Sequence, residues 1–392
     1  MPLPMADRLD SIRPFQVMRL LGRARDLEAA GRDIVHMEIG EPDFPTAGPL
    51  VTAAVESLRL GTTGYTPAAG LPALRAAIAG HYARCSGVDV SPERIIVTPG
   101  GSGALMIALA LLLDAGQRVL LPDPGYPCNR NFVLHLDGIP VAVPVGPEQG
   151  FQPGVADLAR HWQSDCVAAM VGSPSNPTGT IIDEARLAEL HDWLADRGAA
   201  LVVDEIYHGL SYARELRSVL ALRDSAFVVN SFSKYFGMTG WRLGWLVVPP
   251  GYEEPATRLA QNLYIAASTP AQHAAFACFT PAARTIFEER RQAFRERRDF
   301  LLPALEEAGF RIPARPDGAF YIYADCSGLG MDAATLSEGL LEEAGVALTP
   351  GLDFGSHDTA NFIRVAYTSD LARLRLGVER IREWLGRAGH YY

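Results

Sequence analysis

The sequence predicts an α/β protein with two parts: a larger one built on a mainly parallel, doubly wound sheet, and a smaller α+β unit. Three observations predict it. Between residues 94 and 248, short apolar runs rich in β-branched residues alternate with amphipathic helical stretches, the pattern of a parallel sheet covered on both faces. After Pro270 the pattern changes to long charged helices with two further strand-like runs. A chain of 392 residues that is 48% hydrophobic and 20% charged can bury a large core.

The strands of the larger part are read in order at RIIVT (94–98), RVLLP (118–122), VAVPV (141–145), VAAMV (167–171), ALVVDE (200–205), FVVNS (227–231) and LGWLVV (243–248). Little helix separates the last two, so at least one of them is expected to enter the sheet antiparallel. In the smaller part a long helix is expected over 285–299, then a strand at AFYIY (319–323) and a helix near 334–344. A strand at NFIRVAY (361–367) and a final helix near 370–387 complete it. The first residues are expected to fold with this unit, which gives a large domain of residues 46–274 and a small one of residues 1–45 and 275–392. The basic run at 290–298 is interleaved with Glu288, Glu289 and Glu296, and reads as a solvated helix face.

A formal net charge of −10 argues against a nucleic-acid or anionic-membrane surface, since both need clustered cations. Small-molecule chemistry is the expectation. The five cysteines, Cys85, Cys128, Cys166, Cys278 and Cys326, are scattered, with no Cys-x-x-Cys pair and no His at metal-ligand spacing. They read as reduced residues, and no metal is expected. The N-terminal stretch lacks the apolar core of a signal peptide, and the longest apolar run, 104–113, is too short to span a bilayer. A cytoplasmic location is expected.

One lysine, Lys234, stands against 34 arginines, and it lies in SFSKYFGMTGWRLG (231–244). Arginine replaces lysine as a cation but does not readily become a nucleophilic amine. Other chemistry-bearing residues gather at strand ends. The turn PGGSG (99–103) follows a strand and opens a helix, where backbone amides and the helix dipole can hold a phosphate; such turns are equally often structural. Asp204 ends ALVVD at the carboxyl edge, with Tyr207 three residues later; an Asp there is also a common helix cap. Asn176, in SPSNPTG (173–179), suits a turn. Tyr126, in DPGYP (123–127), can stack on a planar ligand or simply pack.

The pattern Ser-x-Ser-Lys-(five residues)-Gly-x-Arg-x-Gly, filled by Ser231, Ser233, Lys234, Gly240, Arg242 and Gly244, closely resembles the signature of class I/II aminotransferases of pyridoxal-phosphate fold type I. The resemblance covers nearly the whole chain. It includes IGEPDFP (39–45), GYTPAAGLPALR (64–75), PGGSG (99–103), NPTG (176–179), DEIY (204–207) and the late Arg364 in FIRVAY (362–367).

Carried over position by position, the resemblance implies that Lys234 forms the internal aldimine with pyridoxal 5′-phosphate. Asp204 would pair with the pyridine nitrogen, while Asn176 and Tyr207 would hydrogen-bond the phenolic oxygen. Gly101, Ser102, Ser231, Ser233 and Arg242 would bind the phosphate, with Tyr65 reaching it from a neighbouring subunit of a homodimer. Tyr126 would stack on the ring. Arg364, helped by the backbone at Gly40 and with Asn176 close by, would bind the substrate α-carboxylate, a planar fork that guanidinium matches. The implied reaction is transfer of an amino group from an L-amino acid to a 2-oxo acid such as 2-oxoglutarate. A β-lyase on the same scaffold is the nearest alternative, and a ligand-sensing regulator a more distant one. Ser102 stands where some aspartate-using relatives place a lysine, so a neutral donor is expected, unless Arg13 or Arg130 reaches the pocket.

Overall fold

The computed structural model describes residues 3, 5–12 and 14–387. In chain order its strands are β1 (Val35–His36), β2 (Ile95–Thr98), β3 (Arg118–Asp123), β4 (Ile139–Pro144), β5 (Cys166–Gly172) and β6 (Ala200–Asp204). They continue as β7 (Phe227–Ser231), β8 (Gly244–Val247), β9 (Tyr321–Asp325), β10 (Val346–Ala347), β11 (Thr349–Pro350) and β12 (Phe362–Ala366). Seven of these form the main sheet, in the order β2-β8-β7-β6-β5-β3-β4. Its pairings are parallel except that β8 runs antiparallel to both β2 and β7, as the short 231–244 connection implied.

Side-chain alternation explains why these strands read as unbroken apolar runs. Leu120, Ala169, Val171, Leu201 and Val203 enter the core on one face of the sheet. Their neighbours Val119, Leu121, Ala168, Met170 and Val202 enter a separate core on the other. Both faces are therefore dry.

The smaller part is a three-stranded antiparallel sheet, β11-β12-β9, with β1 and β10 paired beside it. Its core takes Tyr321, Ile322, Ile363 and Val365 from the strands, and Val378 and Ile381 from the last helix, Leu371–Arg387. The helix expected over 285–299 extends to Pro281–Glu307. Phe287 of that helix packs in the main-sheet core and Phe294, Leu301 and Leu305 in the smaller one, so a single rod ties the two together. All five cysteines are free, and among the described residues no helix is long and apolar enough to cross a membrane.

Candidate active site

Because β2, β3, β5, β6 and β7 run the same way, their carboxyl ends share one edge of the sheet, where ligands of open α/β folds bind. The antiparallel β8 begins at that edge. Each strand therefore delivers its following turn to one place. These turns line a cavity of about 1150 Å³ that takes Ser102, Tyr126, Asn176, Asp204, Lys234 and Arg242 from the main-sheet side and Gly40 and Arg364 from the other.

The helix Gly100–Leu112 opens at the end of β2, and its N-cap, Pro99, provides no side-chain hydrogen bond. Its first amides are thus free for an anion. Arg242 lies against this turn. A Cβ on Gly100 would sit 2.6 Å from an Arg242 guanidinium nitrogen and would displace it, and Gly100 has φ 73°, a conformation that strains any other residue. Arg242 itself has φ 52°, a left-handed conformation uncommon for a side-chain-bearing residue and characteristic of functional turns. Its Nη1 donates to the Thr239 carbonyl at 3.1 Å. Ser233 lines the cavity, whereas Ser231 is buried behind it; the two hydroxyls are 2.9 Å apart, and Ser231 Oγ is 3.0 Å from the Leu243 carbonyl.

Lys234 Nζ donates to the Gly40 carbonyl at 2.6 Å. Withdrawal from water lowers its pKa to about 8, and the nearby Arg364 and Arg242 guanidinium groups act in the same direction. Asp204 moves the opposite way: burial raises it to about 6, with the adjacent Glu205 adding to the shift against the Ile206 amide and Lys234. One Asp204 oxygen accepts from the Ile206 amide at 3.0 Å. Tyr207 is buried, its hydroxyl 2.9 Å from that of Tyr321. Tyr321 in turn crowds Gly40, where a Cβ would meet the phenol oxygen at 1.9 Å. Any side chain at position 40 would push Tyr321 out of place and disturb the carbonyl that holds Lys234.

Arg364 is buried at 2% exposure on the central strand of the small sheet. Its Nη1 donates to Asn176 Oδ1 at 2.9 Å and its Nη2 to the Glu38 carbonyl, while Nε has no partner. The guanidinium lies over the Tyr321 ring at 4.3 Å and the Phe354 ring at 4.8 Å. This buried cation is held by neutral acceptors and aromatic faces and makes no salt bridge among the described residues, with Asp353 the acidic group that feels its charge, an arrangement that suits it to receive a carboxylate.

Twelve of the sequence-derived positions lie in or directly behind this cavity. Tyr65 lies outside it and is 85% exposed. Arg130 lines the cavity and donates to the Ser11 carbonyl at 3.3 Å; Arg13 lies outside the described residues. The sequence reading missed Tyr321, Phe354 and the wall contributed by Phe15 and Met18. No local pattern marks these, because only the tertiary fold brings them to the edge.

A fold type I scaffold with one amine, a buried carboxylate and an uncapped helix start on one edge defines a class of pyridoxal-phosphate enzyme. Comparison with known proteins agrees. The sequence profile described as Aminotransferase class I and II matches residues 32–381. The valine–pyruvate aminotransferase of Mycobacterium tuberculosis is 36% identical over 97% of this chain and 99% of its own length. The aspartate/prephenate aminotransferase of Thermus thermophilus is 35% identical over 98% and 99%. A crystal structure of an aminotransferase from Mycobacterium tuberculosis superposes with a TM-score of 0.94 at 36% identity, covering 98% of this chain and all 100% of that one. The chain belongs to the class I and II aminotransferases, and it is a pyridoxal-phosphate-dependent transferase.

Proposed function

We propose that this aminotransferase moves the amino group of a neutral L-amino acid to a 2-oxo acid such as 2-oxoglutarate, with Lys234 carrying the cofactor. The observation that carries the reading is the convergence of the sole lysine, Asp204 and Arg364 on one cavity beside an uncapped helix start. The residues present fit pyridoxal phosphate. Amides of Gly101 and Ser102, the hydroxyls of Ser102 and Ser233, and the Arg242 guanidinium would hold the phosphate, with Ser231 behind them orienting the Ser233 hydroxyl. Tyr126 would stack on the ring, and Asn176 and Tyr207 would hydrogen-bond its phenolic oxygen. Asp204 would hold a proton at the pyridine nitrogen, a cation that favours the ionised carboxylate despite its burial.

When bound, the cofactor supplies the carbonyl that takes the amino group and the ring that stabilises negative charge at the substrate Cα. Arg364 would bind the substrate α-carboxylate, helped by the backbone at Gly40, and so fix which Cα bond faces Lys234. Lys234, displaced by the substrate amine, would carry the proton from that Cα to the cofactor C4′. Its lowered pKa suits this task, because only the neutral amine accepts a proton.

Three features support a neutral donor. The phosphate turn presents Ser102, no other lysine exists, and Phe15, Met18, Ile39 and Leu352 give the cavity an apolar wall. The Mycobacterium tuberculosis relative is named for valine and pyruvate, the Thermus one for aspartate and prephenate. A buried donor carboxylate without a cation would cost several kcal/mol, enough to set specificity. Steady-state kcat/KM across a donor panel with 2-oxoglutarate is expected to rank alanine, aliphatic and aromatic donors above aspartate. Aspartate ahead of every neutral donor would contradict the proposal and point to Arg130.

The working unit is proposed to be a homodimer with shared sites. Val51, Val55 and Leu58 form an exposed stripe along the helix Gly48–Arg59, and Tyr65 projects nearby in sequence, suited to reach a second copy's phosphate. Sedimentation at assay concentration is expected to show a dimer; a fully active monomer would rule it out. The five free cysteines support a cytoplasmic setting, and recovery of the protein from an oxidising compartment would contradict it.

A further inference from the structure

Two carboxylates outside the reacting set tie the wall of the cavity together. Asp123, at the end of β3, accepts from the Ser356 amide at 3.0 Å, the Ser356 hydroxyl at 2.9 Å and the His357 amide at 3.2 Å. It thereby anchors the segment after β11 to the main sheet. Asp353, in that segment, accepts from the amides of Gln16 at 2.9 Å and Val17 at 3.2 Å. These are the first amides of the helix Gln16–Ala29, whose own N-cap, Phe15, makes no side-chain hydrogen bond. A carboxylate 337 residues from Gln16 in sequence therefore caps this helix, and its charge opposes the positive end of the helix dipole.

Both tied segments line the cavity, through Phe15, Gln16 and Met18 on one and Leu352 and Phe354 on the other. The far end of the N-terminal segment is held separately, by Arg8 Nη1 donating to the His135 carbonyl at 2.8 Å. Asp353 is the tie at the near end, where the wall meets the substrate. Its oxygens are engaged with backbone amides, so it serves as a brace.

We infer that Asp353, seated by the loop that Asp123 anchors, is a positioning residue for the amino donor: it fixes the apolar wall of Phe15 and Met18 against the donor side chain. The inference rests on the reading of this cavity as the transamination site. Removing the brace frees two amides and the start of a helix, while Lys234, Asp204 and Arg364 keep their own partners. Donor binding should suffer and the chemical step should not.

The test uses cofactor-loaded wild type, Asp353→Ala, Asp353→Asn and Asp123→Asn, with thermal unfolding to confirm that each folds. Amide exchange over residues 14–20, measured without substrate, is expected to rise about five- to tenfold in Asp353→Ala, the loss of one helix cap. KM for a long apolar donor should rise about tenfold with kcat within about threefold, the pattern of lost ground-state binding. KM for alanine, too short to reach the wall, should change less. Asp353→Asn keeps one acceptor oxygen and should recover part of both effects, and Asp123→Asn should shift both readouts in the same direction as Asp353→Ala. Unchanged exchange, or an equal KM rise for both donors, or a fall in kcat at constant KM, overturns the inference. A wild type inactive with every donor would instead overturn the functional reading, which the exchange measurement does not depend on.

Discussion

Lys234→Ala and Lys234→Arg are both expected to reduce transamination by at least about 10⁴-fold, roughly 5.5 kcal/mol of barrier. The size follows from two losses at one position. Alanine removes the group proposed to carry the cofactor and the base proposed to move the Cα proton. Arginine keeps the positive charge but cannot shed it, whereas withdrawal from water already brings the Lys234 amine down to about 8. No second lysine exists to take over. The fold should survive, since the Lys234 side chain donates one hydrogen bond, to the Gly40 carbonyl. Absorbance spectra with added cofactor and steady-state rates check the pair of variants, and ordinary turnover by Lys234→Arg would falsify the assignment.

Asp204→Ala carries the next largest expected effect, a fall in Cα deprotonation of at least about 10²-fold, or about 2.7 kcal/mol. Asp204 is poised by its place at the end of β6: the strand pins its backbone, the Ile206 amide holds one oxygen, and the cavity faces the carboxyl. Burial raises it to about 6, so an empty site protonates it as pH falls through that value. A protonated ring nitrogen beside it would reverse the shift and keep the carboxylate ionised. Without the Asp204 carboxylate the ring would lose its proton and much of its capacity to hold charge. Single-turnover proton abstraction measures this step alone. An unchanged rate would leave Asp204 as a cap for the following turn.

Legibility in the sequence follows how local each feature's cause is. The strands of the main sheet could be read because both faces of the sheet are covered, so their residues are mostly apolar. The residues that gather on the candidate site's cavity could be read because they occupy fixed offsets from strand ends: Ser102 after β2, Asn176 after β5, Asp204 at the end of β6, Lys234 after β7. The two-residue strands β1, β10 and β11 carry no period to detect. Tyr321 meets Tyr207 across 114 residues, and Asp353 meets Gln16 across 337, contacts with no local signature. Ser231 shows the limit of motif spacing, which gives neighbourhood but not which hydroxyl faces the cavity and which lies behind it.

Transamination at Lys234 is tested most directly by a half-reaction. Purified, cofactor-loaded protein is mixed with one neutral amino donor and no oxo acid, and the released oxo acid is counted against the sites. Transamination predicts a single equivalent per Lys234, the cofactor left in its amine form, and the original absorbance restored on adding 2-oxoglutarate. The same measurement with a neutral donor that carries a β-leaving group, such as cysteine, separates the alternative: continuous release of pyruvate, ammonia and the leaving group beyond one equivalent, with no acceptor present, would contradict transamination and place the chemistry with the lyases.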